Sequence, residues 1–259
     1  SSPNCTKPGI KVIAVGQAPA CRITIKRPIK FRQTGACPTV MHIRLNLTIA
    51  LSAAVLALLP ANGHGADVPH DRLPNIVLIT ADNLGYGDVG CYGNQAIKTP
   101  VIDRLAQQGV RCTSFYTASP TCTVSRATLL TGRYPQRIGL NHQLSAAENL
   151  GVGLRQSEIL IPQYLQPRGY ATACFGKWNI GFAPGSRPTE RGFNEYFGNA
   201  SGNFDYYTPI YAGRNDLYRG TESATVEGYS TDLFADAACD FIRRNAESPF
   251  FLYLPFNAP

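Results

Sequence analysis

Three short stretches carry side chains suited to chemistry on an anion. The first is Asp82-Asn83, two adjacent oxygen donors followed by Leu84-Gly85-Tyr86-Gly87-Asp88. Such a pair suits a hard cation such as Ca²⁺ or Mg²⁺; taken alone, an Asx-turn, in which both side chains only satisfy nearby backbone donors, is the plainer account. The second stretch runs from Thr121-Cys122-Thr123-Val124-Ser125-Arg126 to Thr131-Gly132-Arg133. A Cys just ahead of a short helix faces the positive end of the helix dipole, where an oxyanion binds. Arg126, one turn later, presents a fork of donors for a tetrahedral oxyanion. A structural Cys with a surface Arg is the plainer alternative. The third stretch is Gly176-Lys177-Trp178-Asn179-Ile180-Gly181, in which Lys177 is either a point charge reaching into a cleft or an ordinary solvated lysine.

Positioning these residues falls to alternating strand and helix patterns from Pro74 onward. Asn75–Thr80 is a continuous apolar run, the signature of a parallel strand buried on both faces. Residues 100–108 predict a helix with Thr99 as N-cap, Pro100 at its first position and Gly109 past its end. Val110–Tyr116 reads as a second strand, Ser125–Leu130 as a short helix and Glu158–Arg168 as another. Tyr170–Phe175 is a third strand, Thr231–Asn245 an amphipathic helix, and Phe250–Pro255 a fourth strand. The alternation predicts an α/β fold with a mostly parallel sheet flanked by helices on both faces. Ligands of such sheets bind beyond the carboxyl ends of the strands, which is where Asp82 and Lys177 fall.

Taken together, PNIVLITADNLGYGDVGCYGN, TPVIDRLAQQGV, CTVSRATLLTGRYPQRIG, YATACFGKWNIG and PFFLYLPFNAP resemble the type I sulfatase family of the alkaline-phosphatase-like superfamily. They follow its order and spacing from Pro74 to Pro259, and the Cys-x-x-Ser-Arg-(x)4-Thr-Gly-Arg signature is highly specific. The resemblance implies that Cys122 is oxidised by a maturing enzyme to formylglycine, whose hydrated form attacks sulfur. It implies that Asp82 and Asn83, with the modified Cys122, bind Ca²⁺, that Arg126 braces the modified side chain and the sulfate, and that Lys177 binds a sulfate oxygen. A dication, a guanidinium and an ammonium gathered around a sulfate stabilise the charge that builds on its oxygens.

The sequence departs from the family pattern in four respects. Val124 replaces a usual Pro or Ala, which bears on maturation. Asn83 replaces the second Asp of a common pair, which removes a charge and weakens the expected calcium binding. Asn179 replaces a His; it can hydrogen-bond the modified side chain but cannot exchange a proton at neutral pH. The family also continues beyond the position of Pro259 into a His acid, further calcium ligands, another Lys and a smaller domain. The expectation is therefore an N-terminal part of the catalytic domain, inactive as it stands.

Composition supports the same organisation. Of 24 Lys and Arg, seven lie in residues 1–40, which have no acid, whereas residues 67–259 hold 16 against all 17 acids. The net charge of +7 therefore belongs to the leader, and no basic face suggests a nucleic-acid partner. Met41, Arg44, the apolar run from Leu45 to Leu59 and the small residues after Pro60 form a signal-peptide layout, too short for a stable membrane span. The expected division is an upstream extension over 1–40, a signal peptide over 41–66 and the catalytic part over 67–259, exported to the periplasm or beyond the cell. Beyond the leader, Cys91, Cys112, Cys122, Cys174 and Cys239 are odd in number and lack CxxC spacing, against a zinc site or a dense disulfide framework.

The expected substrate is a sulfated small molecule or glycan. Two other functions compete: a phosphoester or phosphonate hydrolase of the same superfamily, and a non-catalytic binding paralogue suggested by Val124, Asn83 and Asn179. Gly151-x-Gly153 reads as a loop. His142 and Phe204-Asp205-Tyr206-Tyr207 are weaker substrate-contact candidates, and Asn199-Ala200-Ser201 is a glycosylation sequon.

Overall fold

The computed structural model describes residues 10–16, 73–145 and 151–259. The signal-peptide segment, Met41, Cys5, Cys21 and Cys37 lie outside the described residues. The strands are β1 (Ile10–Gly16), β2 (Asn75–Ala81), β3 (Ala171–Phe175), β4 (Glu195–Asn199), β5 (Ile210–Tyr211), β6 (Arg214–Asn215), β7 (Leu217–Arg219), β8 (Glu222–Ser223) and β9 (Phe250–Pro255). Seven of them form one sheet in the order β1-β2-β9-β3-β4-β7-β8, and β5 pairs with β6 separately. All pairings from β1 to β4 are parallel, and only β7 and β8 run antiparallel at the far edge. The mostly parallel sheet is as expected.

The helices are α1 (Pro100–Gln108), α2 (Cys122–Thr131), α3 (Pro135–Ile138), α4 (Ile161–Leu165) and α5 (Ser230–Arg244). The period-2 geometry of a strand explains how one apolar run serves two cores. Phe250, Leu252 and Leu254 of β9 pack with Phe234, Ala238 and Phe241 of α5. Phe251 and Tyr253, pointing the other way, pack with Ala127 and Leu130 of α2. Each such buried apolar side chain contributes roughly 1.5–3 kcal/mol as an upper bound. β9, lying between β2 and β3, is thus covered on both faces.

The structure corrects several boundaries. Val110–Tyr116 is not a strand: Val110 is 92% exposed and the segment is irregular. Its backbone is held by tyrosine hydroxyls rather than by a ladder. Tyr92 donates to the Cys112 carbonyl, and the Tyr86 hydroxyl accepts from the Phe115 amide while bonding the Phe115 carbonyl. The helix expected over Ser125–Leu130 starts earlier, at Cys122 itself. The one expected over Glu158–Arg168 narrows to α4 and a 3-10 turn at Gln166–Arg168, because Pro162 and Pro167 limit the helical bonds available. Strands β4, β7 and β8 are short and carry no continuous apolar run, so periodicity did not reveal them.

Candidate active site

Three strand ends converge on one carboxylate. Asp82 follows β2, and its amide donates to the carbonyl of Ala258, just beyond β9 (3.1 Å). Lys177 follows β3 by way of Gly176, and its amide donates to the Pro255 carbonyl at the end of β9 (2.7 Å). Gly176 has φ of +126°, and a Cβ there would stand 2.0 Å from the Pro255 oxygen, so only glycine permits this crossing. Cys122 and Arg126 sit one turn apart on α2, which is anchored by the fully buried Ala127 and Leu130.

The Cys122 thiol lies 3.9 Å from Asp82 Oδ2. The Lys177 ammonium donates to the same oxygen, and Arg126 Nη2 stands 3.5 Å from Oδ1. Arg126 is pinned further: Nη1 donates to the Lys177 carbonyl (3.0 Å) and the Tyr253 hydroxyl (3.4 Å), and Nη2 to the Phe256 carbonyl (3.5 Å). All three charged residues are buried. Two cations facing one carboxylate leave the centre with a surplus positive charge in a poorly solvated place, which draws an anion. Burial raises the Tyr253 phenol above its ordinary value, with Arg126 opposing the shift.

Asn179 adopts left-handed φ of +52° and is fully buried. Its Oδ1 accepts from the Thr123 hydroxyl (3.2 Å), while its Nδ2 has no hydrogen bond among the described residues. Thr123 is itself held by Gln143, whose Oε1 accepts the Thr123 amide (3.0 Å), and by the Leu144 amide donating to its hydroxyl (3.1 Å). Asn179 is thus tied to the residue beside Cys122. Asn83, next to Asp82 in the chain, is exposed and has φ of +61°. His142 is also exposed, Tyr206 donates to the Asn257 carbonyl (3.5 Å), and Asn199 of the sequon is fully buried, so no glycan fits on it.

The donor set suits part of a hard-cation site. Asp82 Oδ1 is buried without a hydrogen bond, and so are Oδ1 and Nδ2 of Asn257, next to the Ala258 that anchors Asp82. Carboxylate and amide oxygens are the ligands that Ca²⁺ takes, but it needs six to eight. Among the described residues no three His, Cys, Asp or Glu side chains converge on one point. Thr123, Gln143 and Asn257 were not singled out from the sequence. Asn257 follows a strand end and could have been found by that rule; the other two carry no sequence signal of their own.

Known proteins share both the sequence and this architecture. Residues 74–259 match the family model described as Sulfatase. N-acetylgalactosamine-6-sulfatase of Rattus norvegicus is 37% identical over 243 residues, covering 86% of this chain and 45% of that protein. Steryl-sulfatase of Homo sapiens is 45% identical over 139 residues, 48% of this chain and 23% of that protein. The crystal structure of Ps i-CgsB in complex with k-i-k-neocarrahexaose superposes with a TM-score of 0.67 at 37% identity, covering 72% of this chain and 45% of that one. The structure of BT4656 with its substrate D-glucosamine-2-N,6-O-disulfate gives 0.60 at 28% identity, covering 72% and 34%. The chain therefore spans less than half the length of each of these four relatives.

Proposed function

The chain belongs to the sulfatase family, and from that membership we propose that it furnishes the nucleophile side of a site hydrolysing sulfate monoesters of carbohydrates or aryl alcohols. The observation that carries this reading is the convergence of Cys122, Arg126 and Lys177 on Asp82 at the ends of β2 and β3. Cys122 matured to formylglycine, with Ca²⁺ held by Asp82 and Asn83, would supply a nucleophile and a Lewis acid. Arg126 is braced by three oxygens and keeps its charge fixed beside that nucleophile, so it needs no reorganisation when an anion arrives. Lys177 neutralises Asp82 and is the second buried cation of the centre, which in this reading binds a sulfate oxygen. Asn179 offers its unbonded amide as a donor but holds no proton to exchange.

The described residues furnish one carboxylate to the centre, so in this reading full activity needs oxygen ligands and a leaving-group acid from beyond them. Export, by way of the 41–66 segment, and a maturing enzyme as partner are part of the same proposal. Among the described residues no helix is long and apolar enough to cross a membrane. A non-catalytic binding role is the second reading, favoured by the exposed position of Asn83. The deciding experiment is mass spectrometry of the tryptic peptide Cys112–Arg126 from the native host. Formylglycine at position 122 supports sulfate-ester hydrolysis. An unmodified thiol in every sample removes the nucleophile and leaves the binding role.

A further inference from the structure

A cavity of about 300 Å³ opens beside the loop that carries Lys177 and Asn179, and none of Asp82, Cys122, Arg126 or Lys177 lines it. Its walls include Trp178, Phe182, Tyr211 and Tyr218, and Arg187 and Arg214 stand at its rim. Both arginines are exposed, and among the described residues neither has an ion-pair partner. Asp216 also lines the cavity, and its Oδ2 accepts the Ser201 amide (3.0 Å) and the Ser201 hydroxyl. Burial raises the Tyr218 phenol, with Asp216 adding to the shift and Arg187 and Arg214 opposing it.

The partly exposed rings of Phe182, Tyr211 and Tyr218 offer apolar surface to a sugar face, and two unpaired guanidiniums offer donors to an anion. We propose that this cavity is a second saccharide subsite, which seats a neighbouring residue of a glycan through an anionic substituent, sulfate or carboxylate, held between Arg187 and Arg214. The proposal rests on the sulfatase reading for its ligand class and adds to it that the substrate is an oligosaccharide with at least two anionic groups. Trp178 and Ala200, which line the cavity, flank and hydrogen-bond Asn179 respectively, so the two sites are neighbours along the chain.

Trp178 is the only tryptophan of the chain, so its emission reports on the cavity without a label. The full chain is titrated with sulfated oligosaccharides of the carrageenan, chondroitin and heparan types, with their desulfated counterparts and with unsulfated oligogalacturonate. The expected result is a saturable emission change with at least one sulfated member, weakened about tenfold by Arg187→Ala and again by Arg214→Ala. Both variants should keep the wild-type melting temperature, because both side chains are exposed. Binding by oligogalacturonate alone would assign the site to carboxylate, and by desulfated-sensitive ligands alone to sulfate. A flat titration across the panel, or binding that neither substitution weakens, overturns the proposal. Turnover is not read, so the outcome is separate from that at Cys122: arginine-dependent binding with an unmodified thiol keeps the subsite and removes the hydrolase, and formylglycine with a flat titration does the reverse.

Discussion

Lys177→Met tests whether Asp82 is the hub of the site. In the native arrangement Asp82 is contacted by the Lys177 ammonium on one oxygen and by Arg126, at 3.5 Å, on the other, with the two ion-pairing side chains of Lys177 and Asp82 2% and 5% exposed. Removing one partner of a buried ion pair costs roughly 3–5 kcal/mol, because the other charge is left unsatisfied. Arg126 remains, so the lower end, about 3 kcal/mol, is expected here. For a domain of this size that is a fall of roughly 6–12 °C in melting temperature. Asp82→Asn should cost a similar amount, since it leaves two buried cations. The double variant removes both charges and should fall short of the sum by about 1–3 kcal/mol. Urea unfolding in EDTA, over the four corners of this cycle, gives the coupling directly. Adding Ca²⁺ should then stabilise Lys177→Met more than wild type, because the ion no longer competes with an ammonium for Asp82. A Lys177→Met protein within about 1 kcal/mol of wild type, little more than an ordinary surface substitution costs, or additive single variants, would refute the hub.

Three further outcomes are expected. Gly176→Ala forces a Cβ to 2.0 Å from the Pro255 oxygen at φ of +126°; a loss exceeding about 3 kcal/mol in a chemical melt would reflect strain plus broken β3–β9 anchoring. Iodoacetamide at pH 8 should label the exposed Cys112 in the native protein but reach Cys174 only after unfolding, because that thiol is fully buried and its pKa is pushed up by burial; peptide mapping reads this. Burial raises the Asp216 carboxyl above its ordinary 3.8, with bonds from Ser201 pulling against the shift. The native state thus keeps this proton to higher pH than the unfolded chain, and the stability it contributes at low pH is lost as pH rises through the native value. Asp216→Asn should therefore gain in melting temperature relative to wild type on going from about pH 4 to pH 7.

The sequence was legible wherever one residue's neighbours in the chain determine its role. The apolar runs of β2 and β9 announce burial on both faces because each residue must suit one core or the other, and the glycines after α1 and α2 mark helix ends through their backbone freedom. Cys122, Arg126 and Lys177 stood out through their places relative to those elements. What stayed hidden depends on contacts distant in sequence. Thr123 holds Asn179 across 56 positions and Gln143 holds Thr123 across 20, with nothing local to mark them. Val110–Tyr116 has the composition of a strand but no neighbour to pair with, and Tyr86 and Tyr92 take over its backbone bonds. Short β4 and β7 take their form from the edge of a sheet that their own residues do not specify.

The carbonyls of Pro255, Phe256 and Ala258 hold Lys177, Arg126 and Asp82 respectively. All three of these contacts are to main-chain oxygens, which every residue type possesses. The stretch after β9 should thus tolerate exchange of its side chains at Phe256 and Ala258 with little effect on the centre, whereas inserting or deleting a single residue there would displace an ammonium, a guanidinium and a carboxylate at once. Alignment gaps, rather than substitutions, are what this segment should resist among functional descendants.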